Sequence, residues 1–257
     1  MNLGLKGKKA LITGASRGIG AAIAERLLEE GAETIIVSRG SNELFSTEKY
    51  LKNKFFDNCV YAEICDCTNT GSLELLKSKI INRWGQLDIV VANVGDGQSI
   101  QDAIPNDEQW KKTWENNFES ALHTARTLLP MLQESKGCIL FVSSITALEA
   151  FGAPVDYSTA KTAVTALAKN MARKVANEVR VNVIAPGNVF FEGGSWDKKI
   201  KSDPQLVKKI IKSTVPMNRF GLPMEIADAA IFLCSERAKF ITGSVLVVDG
   251  GQTVGIF

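Results

Sequence analysis

One histidine, His123, is present in 257 residues. Histidine is the side chain whose ordinary pKa lies closest to neutrality, so no histidine pair or triad is available for proton transfer near pH 7. Cysteine is sparse too: Cys59, Cys65, Cys67, Cys138 and Cys234 make an odd number with no disulfide-framework spacing. Cys65 and Cys67 are separated by one residue and have no histidine beside them, which argues against a metal site. They read as reduced thiols, as expected of a cytoplasmic protein. No run of about 18 apolar residues occurs, so no transmembrane helix is expected. The opening MNLGLKGKKALITG has no apolar stretch long enough for a signal peptide before its first glycine turn. The net charge of +2 gives no reason to expect nucleic acid or a membrane surface as a partner. Internal repeats, low-complexity tracts and Pro/Ser-rich linkers are also missing, so residues 1–257 read as one domain.

What is present is an alternation. Short runs rich in Val and Ile, apolar on both faces, occur at 9–13, 34–38, 59–66, 88–93, 138–144, 179–185 and 244–250. That pattern predicts buried parallel strands. Helical periodicity fills the intervals, including 71–83, 107–133, 157–176 and 223–235, and AAIAERLLEEG predicts a helix ending at Gly31. The expected fold is α/β: a three-layer, Rossmann-like doubly wound parallel sheet of about seven strands. The longest irregular stretch is expected at 186–205, and a long loop in a compact domain is usually functional.

After the first strand comes TGASRGIG, Thr13 to Gly20. Glycines between a strand and a helix let the backbone approach a pyrophosphate, which the helix N-terminus also attracts. Gly14, Ser16, Arg17, Gly18, Ile19 and Gly20 are therefore candidates for dinucleotide binding. Glycine also serves tight turns for conformational reasons alone, so position in the chain carries this reading more than composition does. The second strand ends Val37-Ser38-Arg39 with no carboxylate, and Arg17 adds a second guanidinium. A carboxylate there would bond a ribose 2′-OH, whereas two arginines and a hydroxyl suit a 2′-phosphate. NADPH is the expected cofactor over NADH; the competing reading leaves both arginines as solvated surface residues.

In YSTAK, Tyr157 and Lys161 stand four residues apart at the start of a helical pattern, so both leave one helix face. Such pairs also arise by chance on solvated helices, and Ser143-Ser144 could simply end a strand. Taken in chain order, TGASRGIG, Cys65-Asp66, VANVG at 91–95, Asn117, Ser144, YSTAK and Pro186-Gly187 resemble the motifs of the short-chain dehydrogenase/reductase family over nearly the whole chain. Ser-x12-Tyr-x3-Lys is the most specific of these, and the stretch from Arg219 to Gly251 is similar to the bacterial keto-reductase branch, the 3-oxoacyl-acyl-carrier-protein reductases.

The resemblance implies roles. Tyr157 would be the acid or base at the substrate oxygen, Ser144 would hydrogen-bond that oxygen, and Lys161 would lower the phenol's pKa and hold the nicotinamide ribose. Asn117 would order a water leading from Lys161 to solvent. Asp66, Cys67, Asn93, Gly95, Pro186, Gly187 and Val189 would complete the cofactor contacts, with no metal. Val94 and Phe191 depart from the family pattern, Phe191 standing where many members bond the carboxamide through Thr. Ser135 and Glu178 stand where acyl-carrier-protein reductases tend to be basic, which weakens that assignment.

Residues 188–215 are expected to form a substrate lid, with Phe190, Phe191 and Trp196 as apolar surface and Gly193-Gly194 as hinge. The function expected is an NADPH-dependent carbonyl reductase, reversible as an alcohol dehydrogenase, acting on a small-molecule ketone or secondary alcohol. The alternatives are a 3-oxoacyl-thioester reductase and, outside enzymes, a catalytically silent nucleotide-sensing scaffold. Family likeness implies a homotetramer through the helices at 107–133 and 157–176 and the C-terminal strand.

Overall fold

The computed structural model describes residues 1–55 and 59–256. Seven strands form one parallel sheet: β1 (Lys9–Thr13), β2 (Glu33–Ser38), β3 (Val60–Ile64), β4 (Ile89–Ala92), β5 (Cys138–Val142), β6 (Arg180–Pro186) and β7 (Val245–Val248). Their order is β3-β2-β1-β4-β5-β6-β7. Winding reverses between β1 and β4, whose partners run Ala10↔Ile89 to Ile12↔Val91. In such sheets the crevice beyond the carboxyl ends at this reversal is where ligands sit.

The helices are α1 (Gly18–Glu29), α2 (Ser41–Lys54), α3 (Thr70–Trp84), α4 (Asp107–Trp114), α5 (Ser120–Ser135), α6 (Val155–Val175), α7 (Ser195–Ser202), α8 (Pro204–Thr214) and α9 (Pro223–Cys234). Strand side chains alternate between two cores, as a period of two requires. Ala10, Ile12, Ile36, Val91 and Leu140 face the side covered by α1 and α9, while Leu11, Ile35, Val90, Ile139 and Phe141 face α3, α5 and α6. Gly31, at φ +79°, follows the end of α1 as expected of a C-terminal glycine.

Two expectations are corrected. The helical stretch 107–133 is not uniform: a π-helical turn at Glu115–Glu119 joins α4 to α5. The stretch 186–205 is not irregular throughout, because Ser195–Ser202 folds as α7 and Pro204 opens α8. Asp203 makes that second start possible, its side chain accepting from Leu206 N at 2.9 Å. The tail has no regular secondary structure, and the Glu149 carboxylate accepts from Val254 N (2.9 Å) and Gly255 N (2.6 Å).

Candidate active site

A cleft of about 980 Å³ runs along the carboxyl edge of the sheet. The β1–α1 turn forms one wall. Gly14 and Gly18 have φ of +63° and +59°, in the left-handed region that side chains resist. A Cβ on Gly20 would come within 2.5 Å of Asn93 Nδ2 and 2.6 Å of Gly14 O. Gly20 is buried and lies off the cleft lining; its missing side chain lets α1 pack against the turn. Gly18 is likewise off the lining, and a Cβ there would meet the Phe191 ring at 2.8 Å. Asn93 donates through Nδ2 to Thr13 O and Gly14 O, both at 3.0 Å, pinning the turn to the end of β4. No side chain caps α1, whose N-cap is Arg17, so the N–H groups of its first turn remain available for an anion. The uncapped helix, the glycine turn, and Arg17, Ser38 and Arg39 on the lining fit a dinucleotide carrying a 2′-phosphate.

The opposite wall carries Ser144, Tyr157 and Lys161. Ser143 and Ser144 point to different tasks: Ser143 Oγ donates to Lys161 O at 3.0 Å, tying β5 to α6. Ser144 is extended (φ −161°), lines the cleft, and accepts from Thr146 N at 3.2 Å and Thr146 Oγ1 at 3.0 Å. Its hydroxyl is near enough to the Tyr157 phenol to favour the ionised form of that group. Lys161 is buried one turn along α6; Nζ donates to Val142 O at 3.1 Å and lies 5.9 Å from the Tyr157 ring centroid.

The electrostatics differ from expectation at one point. Burial pushes the Tyr157 phenol up, the Ser144 hydroxyl opposes this, and the Asp96 charge adds to it. The expected lowering by Lys161 is therefore not realised, because burial disfavours the phenolate more than its surroundings favour it. Burial also lowers Lys161 to about 8, with Asp96 working the other way.

Asn117 sits in the π-helical turn and is 1% exposed, behind the cleft wall rather than on it. Its Oδ1 accepts from Asp96 N at 3.2 Å, and its Nδ2 donates to Asp96 O at 3.1 Å and Thr113 O at 3.0 Å. A Cβ on Gly95 would stand 2.6 Å from Asn117 Oδ1 and 2.7 Å from Lys161 Nζ, so only glycine lets this loop close over the lysine. The buried Asp156 steadies the same loop, accepting from Ser99 Oγ at 2.5 Å and from Tyr157 N at 2.8 Å.

The remaining predicted residues, Ser16, Ile19, Asp66, Cys67, Asn93, Gly95, Pro186, Gly187 and Val189, all line the cleft. Asp66 Oδ1 accepts from Thr68 N and Oγ1, shaping its loop. Ser38 Oγ donates to Gly40 O at 2.7 Å. His123 bonds Thr68 O through Nδ1, away from the chemistry. Among the described residues no His/Cys/Asp/Glu group gathers as a metal set, and no helix is long and apolar enough to cross a membrane. Three lining carboxylates escaped the sequence reading, Glu43, Asp96 and Asp203. Asp96 directly follows the recognised VANVG motif, which was the available signal.

The family model described as enoyl-(acyl carrier protein) reductase matches residues 14–253. The chain is 36% identical over 252 residues to 3-oxoacyl-[acyl-carrier-protein] reductase FabG of Vibrio cholerae, covering 97% of this chain and 99% of that one. It is 33% identical over 253 residues to L-fucose dehydrogenase of Bos taurus, covering 97% and 90%. Among solved structures, L-sorbose reductase from Gluconobacter frateurii, complexed with NADPH and L-sorbose, superposes with a TM-score of 0.89 at 31% identity, covering 100% of both chains.

Proposed function

Because the chain belongs to the short-chain dehydrogenase/reductase family, an NAD(P)-dependent oxidoreductase family, we propose that it is an NADPH-dependent carbonyl reductase, reversible as a secondary-alcohol dehydrogenase. The observation that carries this is the gathering of Ser144, Tyr157 and a buried Lys161 on one wall of the same cleft as an uncapped glycine-turn helix. NADPH, when bound, supplies the hydride. Ser144 then holds the substrate carbonyl oxygen and Tyr157 gives that oxygen its proton, which the raised phenol retains at neutral pH. The Lys161 ammonium stabilises the negative charge left on Tyr157. Asn117 holds the loop of Gly95 and Asp96 against this pair. Arg17, Ser38 and Arg39 favour NADPH over NADH, and Arg39→Asp is expected to reverse that preference.

Residues 1–257 act as one domain, with 188–215 as the lid over a small carbonyl or alcohol substrate. The working form is a cytoplasmic homotetramer built through α4–α6 and β7. Reduction of 3-oxoacyl thioesters is the second reading, favoured by the FabG likeness. Against it stand Ser135, whose hydroxyl donates inward to Leu87 O, and Glu178, paired with Gln133; neither supplies a basic docking group. NADPH oxidation across simple ketones, ketoses and a 3-oxoacyl thioester tests both readings. Turnover of free ketones is expected. Activity confined to the thioester would establish the second reading, and no oxidation with any carbonyl would leave the silent scaffold.

A further inference from the structure

The 2′-phosphate end of the cleft holds a charge that the sequence pattern does not announce. Arg17 is the N-cap of α1, and its Nη1 lies 3.2 Å from Glu43 Oε1. Glu43 stands in the first turn of α2, where the helix N-terminus favours a carboxylate and holds it there whether or not Arg17 is near. Arg17, Arg39 and Glu43 all line the cleft, so the subsite is two guanidiniums and one carboxylate. Arg17 and Glu43 side chains are 47% and 60% exposed, which makes the pair solvent-screened and exchangeable. On its other flank Arg17 Nη1 meets the lid: a Cβ on Gly193 would lie 3.2 Å from it.

We propose that Glu43 is a specificity-determining residue that narrows the cofactor selectivity set by Arg17 and Arg39. The proposal rests on the reading of this cleft as an NADP(H) site. A 2′-phosphate approaching Arg17 must displace Glu43 from the guanidinium and then sit beside a like charge. A ribose 2′-OH meets no such opposition and can donate its hydrogen to the same carboxylate, the contact that acidic residues make in NAD sites. Glu43 therefore penalises NADPH and assists NADH. The chain uses both, with NADPH ahead by a margin smaller than two arginines alone would give.

The test is calorimetric titration of NADPH and NADH into the full-length protein, wild type and Glu43→Gln, with no substrate present. Glu43→Gln keeps the side chain's size and removes its charge. NADPH affinity is expected to rise three- to tenfold and NADH affinity to stay level or fall, widening the ratio accordingly. In an Arg17→Ala background the gain should shrink, because the ion pair is already gone. A ratio moved less than twofold by Glu43→Gln, with both nucleotides still binding, overturns the proposal alone. A gain undiminished by Arg17→Ala overturns the role given to the ion pair. Binding of neither nucleotide to the wild type overturns the proposal and the cofactor reading together.

Discussion

Tyr157→Phe removes one oxygen and leaves a ring of the same shape, so NADPH should bind as before while the proton donor is gone. Positioned acid catalysis is worth about 10²–10⁴-fold, and hydride transfer in a single turnover should slow by at least that order. Lys161→Ala should slow it comparably and, unlike the phenylalanine variant, weaken NADPH. The two changes should be far from additive, because both disable one proton-transfer unit. Hydride transfer at the wild-type rate in folded Tyr157→Phe would show that another group is the acid. The pH profile reports on Lys161, whose buried ammonium titrates near 8. Reduction should hold steady up to about that pH and decline above it as the charge is lost. Asp96 favours that charge, so Asp96→Asn should make deprotonation easier and move the decline to lower pH. Asn117 grips Asp96 through backbone atoms only, so the loop should survive the substitution. A decline that stays put, or moves upward, would remove Asp96 from the electrostatics of the pair.

At the scale of elements, all seven strands were legible as short apolar runs, most plainly β2, β4, β5 and β6, which are buried along most of their length, and least so the half-exposed β3, VYAEI. The α2 helix was not read, for a physical reason: it buries only Leu44 and Leu51, seven residues apart, a stripe too thin to stand out from a polar segment. Glu43 was missed with it. The π-helical turn is equally silent in sequence, since Asn117 was found by its interval from Trp110 rather than by any helical irregularity. Gly20 was read as touching cofactor because spacing cannot distinguish a glycine that faces a ligand from one that faces a neighbouring backbone. α9 offers a test of element stability. Its N-cap is Leu222, which has no oxygen to offer, and Glu225 reaches back to Leu222 N at 2.8 Å while pairing with both Nη atoms of Arg219. These bonds lower the Glu225 carboxyl to about 2, with Arg219 the larger cause. Its stabilisation is therefore present above the ordinary carboxylate pKa and is lost as pH falls through about 2. Glu225→Ala should cost about 0.5–1 kcal/mol at pH 7, the low end for a lost helix cap because the pair is solvent-screened. In denaturant titration the difference from wild type should shrink as the pH is lowered below 4. An undiminished difference at low pH would point to packing instead.

Across the whole molecule, the sheet edge forms one side of the cleft and residues 188–215 border another. Trp196 packs at 5.3 Å from the Phe220 ring against a small core of Val207, Ile211 and Val215, and also lines the cleft. Lys198 Nζ donates to Gln98 Oε1 at 3.0 Å, joining this segment to the loop beyond Asp96. Trp196→Ala should change relative kcat/KM among ketones by the 1–3 kcal/mol (about 5- to 150-fold) typical of an apolar contact, and leave NADPH affinity nearly unchanged. An equal loss on every substrate would assign the tryptophan to lid stability alone.

The Asn93 amide joins segments 80 residues apart, closing the β1–α1 turn from the end of β4. During synthesis, the first three strands can emerge and pair while this turn still lacks its clasp. The wall bearing Tyr157 and Lys161 comes later still, and residues 188–215 after it. A ribosome-bound chain halted before β4 would hold the glycine turn only through Ala15 N on Val37 O (3.0 Å) and Thr47 Oγ1 on Ser16 O (2.7 Å), and would lack the opposite wall of the cleft. Nucleotide can stabilise only the later stages of maturation, so a cell short of it should accumulate chains that are nearly complete and not early fragments.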